Sequence, residues 1–213
     1  AYLNLLLDMV EDDRLSGLNN AKLGKLGESI ELFEGLPEYF TRTRELVAAQ
    51  GHELEHYVIT SGLKEMVVGS IGEHLDGIFG AEYSERNGII FRVAKSLDFT
   101  QKTLPLFEIN KGVTHDSSID INARMPHKDR RVPFTSMLYF GDGETDIPAF
   151  SIIMDRDGKT FAVYDPHNGG PTKEAQTLEK EKRVNIVTSA DYREGSDLSK
   201  FIDETLEKIM DSV

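Results

Sequence analysis

The chain contains no cysteine. That excludes a disulfide framework and any site built on a thiolate. It fits a cytoplasmic setting, where disulfides are rare. No apolar run approaches the roughly 20 residues that a membrane-spanning helix needs. Basic residues are scarce: 24 Lys plus Arg stand against 37 Asp plus Glu, a formal net charge of −13. A chain of that sign repels nucleic acid and anionic membrane, so neither is expected as a partner. An anionic substrate would need local help from a cation or from backbone N–H groups. The opening stretch Ala1 to Val10 has no basic region and carries Asp8, so it does not read as a signal peptide. What is present is a chain of 213 residues, 39% hydrophobic, enough for one core domain and a small accessory one.

The most informative stretch is Met137-Leu138-Tyr139-Phe140-Gly141-Asp142-Gly143-Glu144-Thr145-Asp146. A short apolar run ended by Gly reads as a buried strand. Asp142, Glu144 and Asp146 follow it closely. In an open parallel sheet, ligands bind at the carboxyl ends of strands. Clustered carboxylate oxygens that stay partly hydrated suit Mg²⁺.

From Tyr2 to Leu32, leucines and other apolar residues recur at helical spacing, interrupted at Ser16-Gly17-Leu18-Asn19-Asn20. That pattern predicts two or three packed helices. Gly35-Leu36-Pro37 marks a boundary, and Glu38 to Gln50 reads as a helix ended by Gly51. Tyr57 to Thr60 reads as a strand, followed by Ser61-Gly62 and a helix over Leu63 to Ile71. A hydroxyl and N–H groups between a strand and a helix can cradle phosphate, although Ser also caps helices routinely. His52-Glu53-Leu54-Glu55-His56 spells H-E-x-x-H, a zinc-hydrolase pattern, but Gly51 and the following strand argue against the continuous helix it requires. Gly88 to Val93 alternates like an edge hairpin. Lys102 precedes a helix over Leu104 to Asn110, where a cation opposes the helix dipole, so it reads as a partner for an anion. Residues 113–132 form a polar loop with a local basic cluster from His127 to Arg131. Asp155-Arg156-Asp157-Gly158 spells a phosphatase nucleophile loop but reads as the turn before a strand at Phe161 to Tyr164. Val184 to Thr188 reads as a last strand and Asp197 to Met210 as an amphipathic closing helix.

In order, strand-Ser61-Gly62, then Lys102 before a helix, then strand-Gly141-Asp142-Gly143-x-x-Asp146 resembles the haloacid dehalogenase-like superfamily of phosphohydrolases. The resemblance covers residues 35–213. It implies an α/β fold: a Rossmann-like, mostly parallel sheet with helices on both faces, plus a small helical cap over residues 1–34. It implies a Mg²⁺-dependent phosphatase acting on a small phosphorylated metabolite. Ser61 and Gly62 would bind phosphate, Lys102 would bind phosphate and stabilise charge in catalysis with Ser61, and Asp142 and Asp146 would hold the metal. The family's first motif, an Asp-x-Asp that supplies the nucleophile, is absent from its expected place upstream of the cap. The expectation is therefore a piece of a longer protein, inactive by itself. The alternatives are a non-catalytic module that keeps the phosphate and Mg²⁺ pocket, and a zinc hydrolase built on His52 and His56.

Overall fold

The computed structural model describes residues 2–212. Ala1 and Val213, the outermost residues of the expected cap and core, lie outside the described residues. In chain order the elements are α1 (Tyr2–Glu11), α2 (Asn20–Gly27), α3 (Glu38–Ala48), β1 (Tyr57–Leu63), α4 (Lys64–Ile71), β2 (Gly77–Arg86), β3 (Ile89–Lys95) and α5 (Thr103–Lys111), then β4 (Leu138–Gly141), α6 (Ile147–Met154), β5 (Lys159–Tyr164), α7 (Lys173–Lys180), β6 (Ile186–Ser189) and α8 (Asp197–Met210). The protein is α/β, with one mixed and one parallel sheet. Contacts divide the chain into two compact units. One comprises Ala1–Glu31 and Glu55–Asp98, the other Leu32–Leu54 and Phe99–Val213.

In the first unit the sheet order is β1-β2-β3, with β1 parallel to β2 and β2 antiparallel to β3. The hairpin turns at Asn87-Gly88, both with positive φ, as a tight two-residue turn demands. Leu3, Leu6, Leu7 and Val10 of α1 pack against a core of Leu18, Leu23, Leu63, Ala81, Tyr83 and Ile90. The apolar stripe of the first helix is thus packing surface. The Asn19 side chain caps α2 by accepting from the Lys22 N–H at 2.8 Å. Helices α2 and α4 approach through glycine: a Cβ on Gly69 would overlap the Gly24 carbonyl, and one on Gly27 the Met66 carbonyl. Strand β1 runs on through Ser61 and Gly62, past the end expected at Thr60. Its register shifts between Ile59 and Leu63, and the Gly62 N–H donates to Thr60 Oγ1 at 2.9 Å rather than to a neighbouring strand.

In the second unit β4, β5 and β6 lie side by side, all parallel. Leu138 pairs with Lys159 and Gly141 with Ala162, while Phe161 pairs with Ile186. Buried parallel strands read as unbroken apolar runs, as β4 and most of β5 do. Phe140 stacks on Phe161 with centroids 4.7 Å apart. Phe150, Ile153, Phe161, Leu198 and Ile202 are fully buried and form the heart of the unit. Arg42 of α3 donates to both carboxylate oxygens of Asp203 on α8, each at 2.8 Å. Among the described residues β4 has a hydrogen-bonded strand neighbour on one side only, β5.

The glycine contact between α2 and α4 leaves no room for a methyl group. Replacing Gly69 by Ala is expected to destabilise the protein by about 1–3 kcal/mol, the usual penalty for overpacking. Urea unfolding measures this, and an unchanged midpoint would show that the two helices are not in backbone contact.

Candidate active site at the carboxyl end of β4

Strand β4 ends at Gly141, and the chain turns through Asp142 and Gly143 into a short 3-10 turn, Glu144–Asp146. Helix α6 then starts, with Pro148 in its first turn, where the missing N–H is no loss. The turn therefore lies at the carboxyl end of a parallel sheet. Asp142 and Glu144 are exposed there, whereas Asp146 is buried at 3% exposure.

Lys102 arrives from the residue before α5 and is itself buried at 6% exposure. Its ammonium donates to Asp146 Oδ1 at 2.9 Å and to Thr145 Oγ1 at 3.1 Å. Tyr139, pointing inward from β4, donates its hydroxyl to the same Asp146 Oδ1 at 2.7 Å. Burial above all, and then the neighbouring Asp146 charge, holds the Tyr139 hydroxyl protonated far beyond the usual phenol range. The Tyr139 ring meets that of Phe150 edge-on, with centroids 5.6 Å apart. Gly141 permits the close approach of the carboxylate: a Cβ there would lie 2.6 Å from Asp146 Cβ and 2.9 Å from its Oδ2.

The far end of α5 is fastened as well. Lys111 Nζ donates to the Ile121 carbonyl at 2.5 Å and to the Ala123 carbonyl at 2.6 Å. The fully buried Asn110 donates to the Val132 carbonyl and accepts from Arg130. One arginine of the basic cluster thus serves to hold the 113–132 loop to the helix.

Lys102 and Asp146, two of the residues singled out in the sequence, are in direct contact. Asp142 sits four residues before Asp146 on the same turn. Ser61 and Gly62 belong to the first unit. There the Ser61 carbonyl accepts from the Tyr2 hydroxyl at 2.8 Å, and the Ser61 Oγ is buried without a hydrogen-bond partner among the described residues. Glu144 lines an open cleft of about 310 Å³ with Lys173, Thr177, Leu178 and Arg183. Residues 52–56 form no helix, so His52 and His56 do not stand one turn apart on a helical face as zinc chemistry of the H-E-x-x-H kind requires. Asp155 and Asp157 lie just ahead of β5, and β5 runs parallel to β4. They are therefore at the opposite end of the sheet from Asp142 and Asp146. Tyr139 and Thr145 were missed in the sequence. The available signal was a hydroxyl-bearing ring at an inward strand position beside an acidic turn.

Among the described residues no three carboxylate or imidazole side chains gather as a metal cage. Mg²⁺ commonly takes only one or two carboxylates and fills its shell with water and phosphate oxygens. Asp142 and Asp146 fit that smaller demand. No helix among the described residues is long and apolar enough to cross a membrane.

The chain is 31% identical to an uncharacterized protein of Borreliella burgdorferi over 234 residues, which takes in 100% of this chain and 78% of that protein. No family model matches the chain, and no solved structure matches it.

Removing one partner of a buried ion pair leaves a charge stranded in low dielectric. Lys102→Met is expected to lower stability by about 3–5 kcal/mol on that ground. Equilibrium denaturation at neutral pH checks it, and a loss below about 1 kcal/mol would mark the pair as solvated, like a surface salt bridge.

Proposed function

This chain belongs to the same family as the uncharacterized Borreliella burgdorferi protein, and we propose that it is part of a Mg²⁺-dependent phosphoric monoester hydrolase of the haloacid dehalogenase-like kind, acting on a small phosphorylated metabolite. One observation carries the reading. A lysine placed before one helix and a carboxylate 44 positions later meet, buried, at the carboxyl end of a parallel strand. Motif spacing alone does not require that meeting, and the meeting supports a phosphate-handling site.

The ammonium of Lys102 has three N–H bonds. Two go to Asp146 and Thr145, which leaves one for a phosphoryl oxygen. A preorganised cation in a site shielded from water stabilises charge that builds during phosphoryl transfer. Asp142, exposed on the same turn, and Asp146 would hold Mg²⁺. When bound, the metal would screen charge between an attacking group and the phosphate. The resemblance would assign Ser61 to a phosphoryl oxygen, and its hydroxyl, in the first unit, is buried without a hydrogen-bond partner among the described residues. The Gly62 N–H is already given to Thr60, which leaves the Ser61 side chain as the stronger candidate of the two. Helices α1 and α2 would belong to a substrate-selecting cap. The covalent route would need an aspartate nucleophile that none of the residues assigned here supplies.

A second reading, a non-catalytic module that binds phosphate and Mg²⁺, is favoured by one fact. The Asp-x-Asp spelled by Asp155 and Asp157 lies at the wrong end of the sheet to serve as nucleophile.

The full-length protein is expected to hydrolyse an aryl phosphate only with Mg²⁺ present. Asp142→Asn should reduce kcat by about 10²–10³ or more, the scale for losing a preorganised electrostatic element. Unchanged turnover in that variant would rule out this site. Magnesium binding without any turnover by the wild-type protein would favour the second reading.

A further inference from the structure

We infer that Tyr139 is a positioning residue for divalent-cation binding at the carboxyl end of β4, acting through Asp146. The inference rests on the assignment of Asp142 and Asp146 as metal ligands. Its basis is that one carboxylate oxygen receives two buried donors. Asp146 Oδ1 accepts from Lys102 Nζ at 2.9 Å and from the Tyr139 hydroxyl at 2.7 Å. Neither donor engages Oδ2, which faces the backbone of Gly141.

The two donors differ in stiffness. A lysine reaches its partner through a four-carbon stem with several rotatable bonds. By itself it would follow a carboxylate that rotates. A tyrosine has a rigid ring and two torsions, and this ring is set edge-on against the fully buried Phe150. Its hydroxyl therefore has a fixed place. Together the donors hold Oδ1 in place and leave Oδ2 as the oxygen that neither of them engages. Partners that orient a ligating carboxylate typically alter metal affinity by 10–100-fold when removed.

The obvious competing role for the hydroxyl is to satisfy a buried acid. A merely structural hydroxyl would affect unfolding in the absence of metal and leave the affinity of the folded protein unchanged. Tyr139→Phe removes the hydroxyl and keeps the ring. Mn²⁺ serves as the probe, with free Mn²⁺ read by electron paramagnetic resonance on the 213-residue chain. Wild type, Asp142→Asn and Tyr139→Phe are compared, and far-UV circular dichroism confirms folding. The expected result is loss of binding in Asp142→Asn and a Kd raised about tenfold in Tyr139→Phe. Should Tyr139→Phe not fold, Phe150→Leu keeps the hydroxyl and frees the ring, and it should raise the Kd in the same direction. An unchanged Kd in the folded Tyr139→Phe protein, with binding lost in Asp142→Asn, overturns the role of Tyr139 and leaves the metal assignment standing. Binding that survives Asp142→Asn, or no binding by wild type, overturns the metal assignment itself.

Discussion

Two opposite charges withdrawn from water must neutralise each other closely, and Lys102 and Asp146 do so at 2.9 Å with both side chains below one-tenth exposure. Such a pair is not an efficient way to stabilise a fold, because desolvating both ions can cancel their attraction. Apolar residues of similar volume would serve stability as well. Part of the remaining hydrogen-bonding capacity is met, by Tyr139 on the carboxylate and by Thr145 on the ammonium. Much of the second unit is arranged to make the pair possible. Gly141 leaves room for the carboxylate, the 3-10 turn carries Asp146 back under the strand end, and α5 starts just after Lys102. The arrangement is one that stability alone does not require.

The parts of this site that could be read from the sequence were those with a local signature. An apolar run closed by Gly announced β4, and the acids after it announced a polar turn at the strand's carboxyl end. Lys102 stood out because a cation before a helix works against the dipole. The closing helix, Asp197–Met210, has the bounds its pattern implies. Tyr139 was not legible as a site residue, since an aromatic residue in a strand ordinarily means packing. Its hydroxyl acquires meaning only from Asp146, and that contact depends on how sharply the chain turns at Gly141. Helix α7 was also passed over. Its stretch is strongly polar, burying only Ala175 and Leu178, so the apolar stripe that betrays a helix is thin.

Grouping in space was harder to read than elements in sequence. The leucine stripe of α1 and the leucines around α2 looked like a helical piece with its boundary near Pro37. Their packing partners are Leu63, Ala81, Tyr83 and Ile90, so residues of the first 31 positions share a unit with 55–98. The helical period says that a face is buried and does not say against what. The converse holds for Asp155 and Asp157, whose spelling suggested a nucleophile. Strand direction decides the matter: in a parallel pair the residue before one strand and the residue after its neighbour lie at opposite ends.

Helix α5 is held at both ends by buried or charged side chains. Lys102 grips Asp146 at its start, while Asn110 and Lys111 grip Val132, Ile121 and Ala123 at its finish. Its nine residues span about 13 Å at the usual rise. A helix resists compression along its axis, because every hydrogen bond in it would have to shorten at once. The 113–132 loop and the backbone of Lys102 are therefore tied to the two ends of one stiff strut, and only the flexible lysine stem lies between that strut and the ammonium.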